Sequence, residues 1–95
     1  MNTKDTYVKR MQAQLDAWDA EIKKLKAQAE IAQADAQLKY QKEVAELRER
    51  QRKAEEKLSE IRAASDDAWA DLKAGADRAW DAMSDAIKSA TGRFK

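Results

Sequence analysis

The chain has 95 residues, of which 39% are charged and 43% hydrophobic by a count that includes alanine. Its net charge is +1, it contains two glycines and no proline, and its mean hydropathy is -0.92. These values exclude a large globular core and allow one domain at most. Ala, Lys, Glu, Gln, Arg and Leu dominate, which is typical of long helices and coiled coils.

The first half of the chain carries a regular apolar seam. From position 8 to position 36, apolar residues follow one another at alternating steps of three and four, which is the heptad pattern of a coiled coil. Asp5 is favourable at the positive end of a helix that begins there. The seam residues, which we predict to form a helix-packing interface, are Val8, Met11, Leu15, Trp18, Ile22, Leu25, Ala29, Ala32 and Ala36.

The spacing then changes near residues 36–44, where Ala36, Tyr40 and Val44 are separated by fours. Such a stutter unwinds a supercoil locally without ending the helix. The alternation resumes at Leu47 and passes through Gln51 and Ala54, so we predict one long helix over residues 5–64. We predict that Tyr40, Val44, Leu47, Leu58 and Ile61 of this stretch also belong to the interface.

A second helix is predicted over residues 66–92. Ser65 is a suitable N-cap, and Asp66 and Asp67 suit a first helical turn. No glycine or proline forces a stop at this point, so a helix running straight through is the alternative. The apolar residues repeat here every eleven positions, which keeps a nearly straight stripe on one face; this stripe adds Trp69, Leu72, Ala76, Trp80, Met83 and Ile87 to the interface.

The fold class is therefore all-α: a long amphipathic coiled-coil helix followed by a shorter amphipathic helix, as a hairpin or nearly continuous. A turn near Ser65 would lay the Asp-rich last segment along the basic stretch that precedes it, and would bury both apolar stripes. The alternative is that these aspartates form a solvated face. Because such a hairpin leaves the Val8–Leu25 seam unpaired, we predict a homo-oligomer, either a helical bundle or a filament.

The side chains needed for most site chemistry are absent from the sequence. Without His and Cys, the usual zinc ligands and the His- or Cys-based catalytic groups are missing. The serines have no base partner, and no glycine-rich loop could hold a phosphate. We predict no enzymatic activity, no catalytic, cofactor-binding or metal-binding residues, no cofactor and no small-molecule substrate.

Nucleic-acid binding and membrane insertion are also not expected. Glutamates interrupt the basic run at residues 48–53 and no aromatic residue lies near it, which makes it a poor nucleic-acid site. No stretch approaches the roughly 18 apolar residues of a membrane span. The polar N-terminus shows no signal peptide, so the expected location is cytoplasmic.

Two hypotheses for function follow. The first is a structural or scaffolding protein that self-associates through helix packing. The second is an amphipathic protein that coats lipid or a storage granule, because the eleven-residue unit around Trp69, Leu72, Trp80 and Met83 resembles the repeats of exchangeable apolipoproteins and, loosely, the granule-coating phasins.

The whole chain resembles small uncharacterised bacterial coiled-coil proteins. The resemblance lies in an AWxxLKxG…AW stretch near the C-terminus, here Ala68-Trp69, Leu72-Lys73, Gly75 and Ala79-Trp80. It implies a helical fold and brings no activity with it.

Overall fold

The computed structural model describes residues 3–94, which form three α-helices joined by two short turns. The helices are α1 (Thr3–Glu30), α2 (Ala34–Ala63) and α3 (Trp69–Arg93). Each helix packs back along the preceding one, and the resulting bundle measures 51 × 19 × 18 Å. The predicted all-α class is confirmed, and the chain folds back after α2 as expected.

The predicted continuous helix over residues 5–64 is wrong, because the chain turns at Ile31, Ala32 and Gln33. A straight helix of that length would leave its apolar seam in water until it met a second chain. Turning back lets α1 bury its seam against α2 of the same molecule, and burial of apolar surface is the dominant favourable term in folding. The break gives up a few intrahelical hydrogen bonds whose groups can bind water instead. The stutter coincides with the first turns of α2.

The core runs along the bundle axis and receives one apolar stripe from each helix. Ile22 and Leu25 of α1, Leu58 and Ile61 of α2, and Met83 of α3 are its most deeply buried large side chains. The stripes recur every three or four residues, which is the spacing of one face of an α-helix. Burying an aliphatic side chain of this size contributes about 1.5–3 kcal/mol, so the core is the main source of stability.

Ser65 is not the N-cap of α3 as predicted: the N-cap is Ala68, which makes no side-chain capping hydrogen bond, and Ser65 lies at the start of the turn that precedes it. Ser65 accepts a hydrogen bond at its side-chain oxygen from the Ala68 amide (3.2 Å). Its carbonyl accepts bonds from the amides of Ala68 and Trp69 (both 3.1 Å). Asp66 and Asp67 lie in this turn, so α3 begins at Trp69, three residues after the predicted start. From α1, Lys4 donates to the carbonyl oxygens of Arg62 (3.1 Å) and Ala64 and so satisfies the end of α2.

The expected charge complementarity between α2 and α3 is not what the structure shows. In the described part of the chain, the ion pair that joins these helices has the opposite polarity, with Arg93 of α3 on Glu43 of α2 at 3.0 Å. The aspartates Asp71, Asp81 and Asp85 are exposed. The fold-back therefore depends on apolar burial and the capped turn, and these aspartates form a solvated face.

Candidate functional site

The predicted packing interface lies inside one chain. Its buried members are Met11, Leu15, Trp18, Ile22, Leu25, Ala29, Val44, Leu47, Leu58, Ile61, Ala76, Trp80, Met83 and Ile87. Its half-buried members are Val8, Ala32, Ala36, Tyr40, Trp69 and Leu72. The seam that was expected to need a second chain is thus covered by α2 and α3 of the same molecule. The reason given above for a homo-oligomer no longer holds, and association itself stays a prediction.

Aromatic pairs join α3 to the other two helices. Trp18 of α1 meets Trp80 of α3 with ring centroids 6.0 Å apart, and Tyr7 meets Trp69 at 5.5 Å. The backbones of α1 and α3 make few close approaches, so these large rings fill the space between them. Near the C-terminus, Tyr40 stacks on Phe94 at 4.3 Å. Tilted and stacked pairs at such distances add stability beyond their buried area.

A polar cluster interrupts the apolar contact between α1 and α2. Asp19 accepts at one carboxylate oxygen from Arg48 Nη1 (2.7 Å) and Gln51 Nε2 (2.9 Å), while its other oxygen faces Lys23 Nζ (2.9 Å). Arg48 also donates to the Gln51 side-chain oxygen at 2.7 Å. Hydrogen bonds from Gln51, Lys23 and Arg48, in that order, hold the pKa of the Asp19 carboxyl well below its usual range. This cluster, the Asp19 cluster, fixes the register of the two helices.

A second polar cluster joins α1 to α3. The Tyr7 hydroxyl donates to Asp77 (2.8 Å), and Lys73 Nζ lies 2.8 Å from the other Asp77 oxygen and 5.4 Å from the centroid of the Tyr7 ring. Burial raises the pKa of the Tyr7 hydroxyl, and its bond to Asp77 raises it further. The hydrogen bond from Lys73 holds the pKa of Asp77 below its usual range. The tyrosine therefore stays protonated and acts as a donor in the packing contact.

Sequence reasoning left several core residues out of the interface. Tyr7, Gln51, Ala54 and Ala90 are all buried. The seam spacing passes through Gln51 and Ala54, whose polarity and small size hid their role. Tyr7 precedes Met11 by four residues, and this spacing was the available signal, because residues four apart share one face of a helix.

The tip of the α1–α2 hairpin exposes apolar side chains. Ile31 is 85% exposed and Leu38 is 76% exposed. Among residues 3–94, these are the large hydrophobic side chains that are exposed to solvent. Lys39 adjoins Leu38, and Lys42 follows one turn later. Two exposed aliphatic side chains present far less apolar surface than the several hundred Å² that mark a large protein interface.

The surface between α2 and α3 contains an open groove, lined by Glu43, Glu46, Arg50, Asp85 and Arg93 among others. One Glu43 carboxylate oxygen is buried there without a hydrogen-bond partner. Within residues 3–94, no three acidic side chains come together as metal ligands. The mixed charges lining this groove favour no single class of ligand.

Among the described residues, α1, α2 and α3 are too polar for any of them to cross a lipid bilayer. Comparison with models of protein families, with curated proteins and with solved structures finds no match for the chain. The resemblance to small bacterial coiled-coil proteins therefore stays a prediction.

Proposed function

We propose that this chain is a non-catalytic structural protein that associates with copies of itself through helix–helix packing. The observation that carries the proposal is the apolar seam, which keeps its alternating spacing through the turn as far as Ala36, although the chain reverses there. Ala29 is buried at the end of α1, Ala32 lies in the turn, and Ala36 follows in α2. A hairpin needs no seam residue in its turn, whereas a packed pair of continuous helices does.

The chemistry of the side chains agrees with a packing role. The two strongest polar clusters, around Asp19 and Asp77, consist of groups that satisfy one another between helices. Their carboxylates are held ionised, with pKa values below the usual range, and so are unsuited to exchange protons near neutral pH. These clusters position helices and leave no acid–base pair free for a substrate.

Sedimentation equilibrium over a range of protein concentrations tests the proposal. We expect a reversible shift from a 10.8 kDa monomer to a dimer or larger species as concentration rises. Circular dichroism recorded on the same samples should show full helicity at every concentration, because the bundle core is complete in one chain. A single species of monomer mass up to millimolar concentration would overturn the proposal.

A lipid or granule coat is the second candidate, and the exposed hairpin tip favours it. Ile31 and Leu38 are open to solvent beside Lys39 and Lys42, which is the combination of apolar and basic side chains that binds anionic interfaces. The polar face of α3 carries mainly aspartates, which an anionic surface would repel. The tip, and not α3, is therefore the expected point of contact.

Vesicles of anionic phospholipid distinguish this second candidate. Co-sedimentation that is lost when Ile31 and Leu38 are both replaced by Gln, while the helicity of the double variant is retained, would favour a coat. Replacing the exposed Ala13 and Ala17 of α1 by Gln provides the matched control. No binding by the unchanged protein would leave self-association as the remaining candidate.

A further inference from the structure

The turn between α1 and α2 contains nothing that requires a turn. Its residues, Ile31, Ala32 and Gln33, are all tolerated within a helix, and neither glycine nor proline is present. Gln33, the N-cap of α2, makes no side-chain capping hydrogen bond. The Ala32 amide reaches the Ala29 carbonyl at a long 3.4 Å. Local sequence therefore does not favour the turn over a continuous helix.

Gln33 is the residue of the turn whose backbone would have to change for the helix to continue. Gln33 has φ -61° and ψ 152°, and the φ of an α-helix is about -63°. Its φ therefore suits a helix, whereas its extended ψ has to rotate by roughly 165° to reach the helical value of about -42°. No residue in the described part of the chain has a positive φ that would commit the backbone to a turn.

The contacts between α1 and α2 are symmetric about the turn. Asp19 bonds to Arg48, and Lys4 bonds to the carbonyl of Arg62. In each pair, one partner precedes Gln33 by nearly the same number of residues as the other partner follows it. Two continuous helices that cross antiparallel at Gln33 would re-form the same pairs, with one partner from each molecule.

We propose that two copies of this chain exchange α1, each copy straightening its turn so that α1 and α2 form one continuous helix. This inference rests on the proposed self-association and names its route. The α1 helix of one copy lies against α2 and α3 of the other, so that each half of the dimer reproduces the bundle of the monomer. Exchange of an identical element is an economical way to form a dimer, because it reuses contacts that already exist.

The centre of the dimer is formed by residues that the monomer uses little. Ala32 and Ala36 are only half-buried at the hairpin tip. In the exchanged dimer they lie on the seam where the two long helices cross. Alanine side chains at successive seam positions allow two helix backbones to approach closely. This burial, together with hydrogen bonds formed through residues 31–33, is what the dimer gains over two monomers.

One contact holds the turn closed in the monomer. The side-chain nitrogen of Gln37 donates to the carbonyl of Glu30 at 3.0 Å, across the turn. In a continuous helix that carbonyl accepts the amide of residue 34 instead. The bond of Gln37 is therefore a contact of the closed form alone, and its removal favours exchange.

Ala34→Pro is the decisive variant, because proline is compatible with the bundle and incompatible with the continuous helix. Ala34 is the first residue of α2, where proline is well tolerated. The preceding Gln33 already has the extended backbone that proline demands of its neighbour. Within a continuous helix, the same proline would remove a hydrogen bond and clash with the Glu30 carbonyl.

Sedimentation equilibrium of Ala34→Pro, with Ala34→Gln as the matched exposed variant, tests the exchange. We expect Ala34→Pro to weaken dimerisation at least about a hundredfold while keeping monomer helicity, and Ala34→Gln to dimerise like the unchanged protein. Gln37→Ala should strengthen dimerisation, by on the order of tenfold. Equal dimerisation of all the proteins would overturn exchange and leave self-association standing. Failure of the unchanged protein to associate would overturn both.

A distance measurement keeps the test decisive even if Ala34→Pro does not fold. The chain contains no cysteine, so cysteines at the exposed positions Gln14 and Glu55 provide unique sites for spin labels. Doubly labelled chains are mixed with an excess of unlabelled chains, so that distances within one molecule are measured. A continuous helix separates the labels by roughly 60 Å, whereas the hairpin keeps them on the order of 20 Å apart. A dimer that shows only the short distance overturns exchange.

Discussion

The two turns of this bundle reverse the chain by different means. The α2–α3 turn begins at Ser65, whose side chain and carbonyl accept amides of the next turn, and Lys4 closes the end of α2. In the α1–α2 turn, the side-chain bond is the one that Gln37 donates to the Glu30 carbonyl, and the turn residues Ile31, Ala32 and Gln33 contribute no side-chain hydrogen bond of the kind that Ser65 makes. One reversal is specified locally by residues with turn chemistry, while the other is imposed by the helices that it joins.

The two hairpins also differ in where their polar contacts lie. Both hairpins have a polar contact at the end away from their turn, Lys4 with Arg62 in one and Arg93 with Glu43 in the other, but the α1–α2 hairpin also carries the Asp19 cluster near its middle. A contact in the middle fixes register and leaves the turn free to change. The comparison shows that specific contacts can fix how two helices pack while the residues of the turn between them specify no particular conformation.

The largest expected effect concerns the core of the first hairpin. Ile22 has no exposed surface, so Ile22→Asp places an unpaired charge among apolar side chains and should lower the free energy of unfolding by about 4 kcal/mol or more. Since small domains have a total stability of about 5–15 kcal/mol, thermal denaturation should show a largely unfolded protein. Ile31→Asp, at the exposed tip of the same hairpin, is the matched control and should change stability by less than about 0.5 kcal/mol. Equal effects at the two positions would contradict the assigned core.

The helical nature of the chain could be predicted from its sequence, and so could the position of the second turn. Heptad and eleven-residue spacing mark the buried faces, and Ser65 with its aspartates marks the reversal. In the structure, most of the predicted interface positions are buried within residues 3–94. Periodicity identifies the face of a helix that is buried, because side-chain direction follows the turn of the helix.

The first turn could not be predicted, because its physical cause is not local. Ile31, Ala32 and Gln33 are compatible with a helix, and the seam continues through them. What ends α1 is the burial gained when the seam meets α2, a term that depends on the whole chain. For the same reason, spacing alone cannot distinguish a seam paired within one molecule from a seam paired between two. The Asp19 cluster could not be predicted either, because Asp19 and Arg48 are brought together only when the chain reverses between α1 and α2.

Smaller effects are expected from removing the side-chain acceptor of the second turn and from adding a capping residue to the first. Ser65→Ala should lower the free energy of unfolding by about 0.5–1 kcal/mol, because the Ala68 amide loses its side-chain acceptor and keeps only the Ser65 carbonyl. Gln33→Asp should raise it by about 0.5–1 kcal/mol, because Gln33 has the extended backbone of an N-cap and lacks a capping bond. Urea denaturation measures both. Gln33→Ala is the control for the second variant, and a change in stability as large as that of Gln33→Asp would show that capping is not the cause.

The smallest of the predicted effects is a loss of stability in acid that comes from the Asp19 cluster, in the middle of the first hairpin. The folded-state pKa of Asp19 is lowered by Gln51, Lys23 and Arg48, so its contribution is fully present above the unfolded pKa of about 3.9 and is lost as pH falls below that value. Asp19→Asn removes the charge at every pH. The difference in melting temperature between the unchanged protein and Asp19→Asn should therefore be constant from pH 7 to about 5 and shrink below about pH 4.

Asp81→Asn on the exposed face of α3 is the matched control for this measurement. Its difference from the unchanged protein should stay close to zero over the same range, because surface substitutions away from specific contacts alter stability little. If the Asp19→Asn difference persisted undiminished at pH 2, the ionised carboxylate would not be what stabilises the contact with Arg48 and Gln51. The register of α1 on α2 would then depend on the apolar seam alone, and the two hairpins would differ only in their turns.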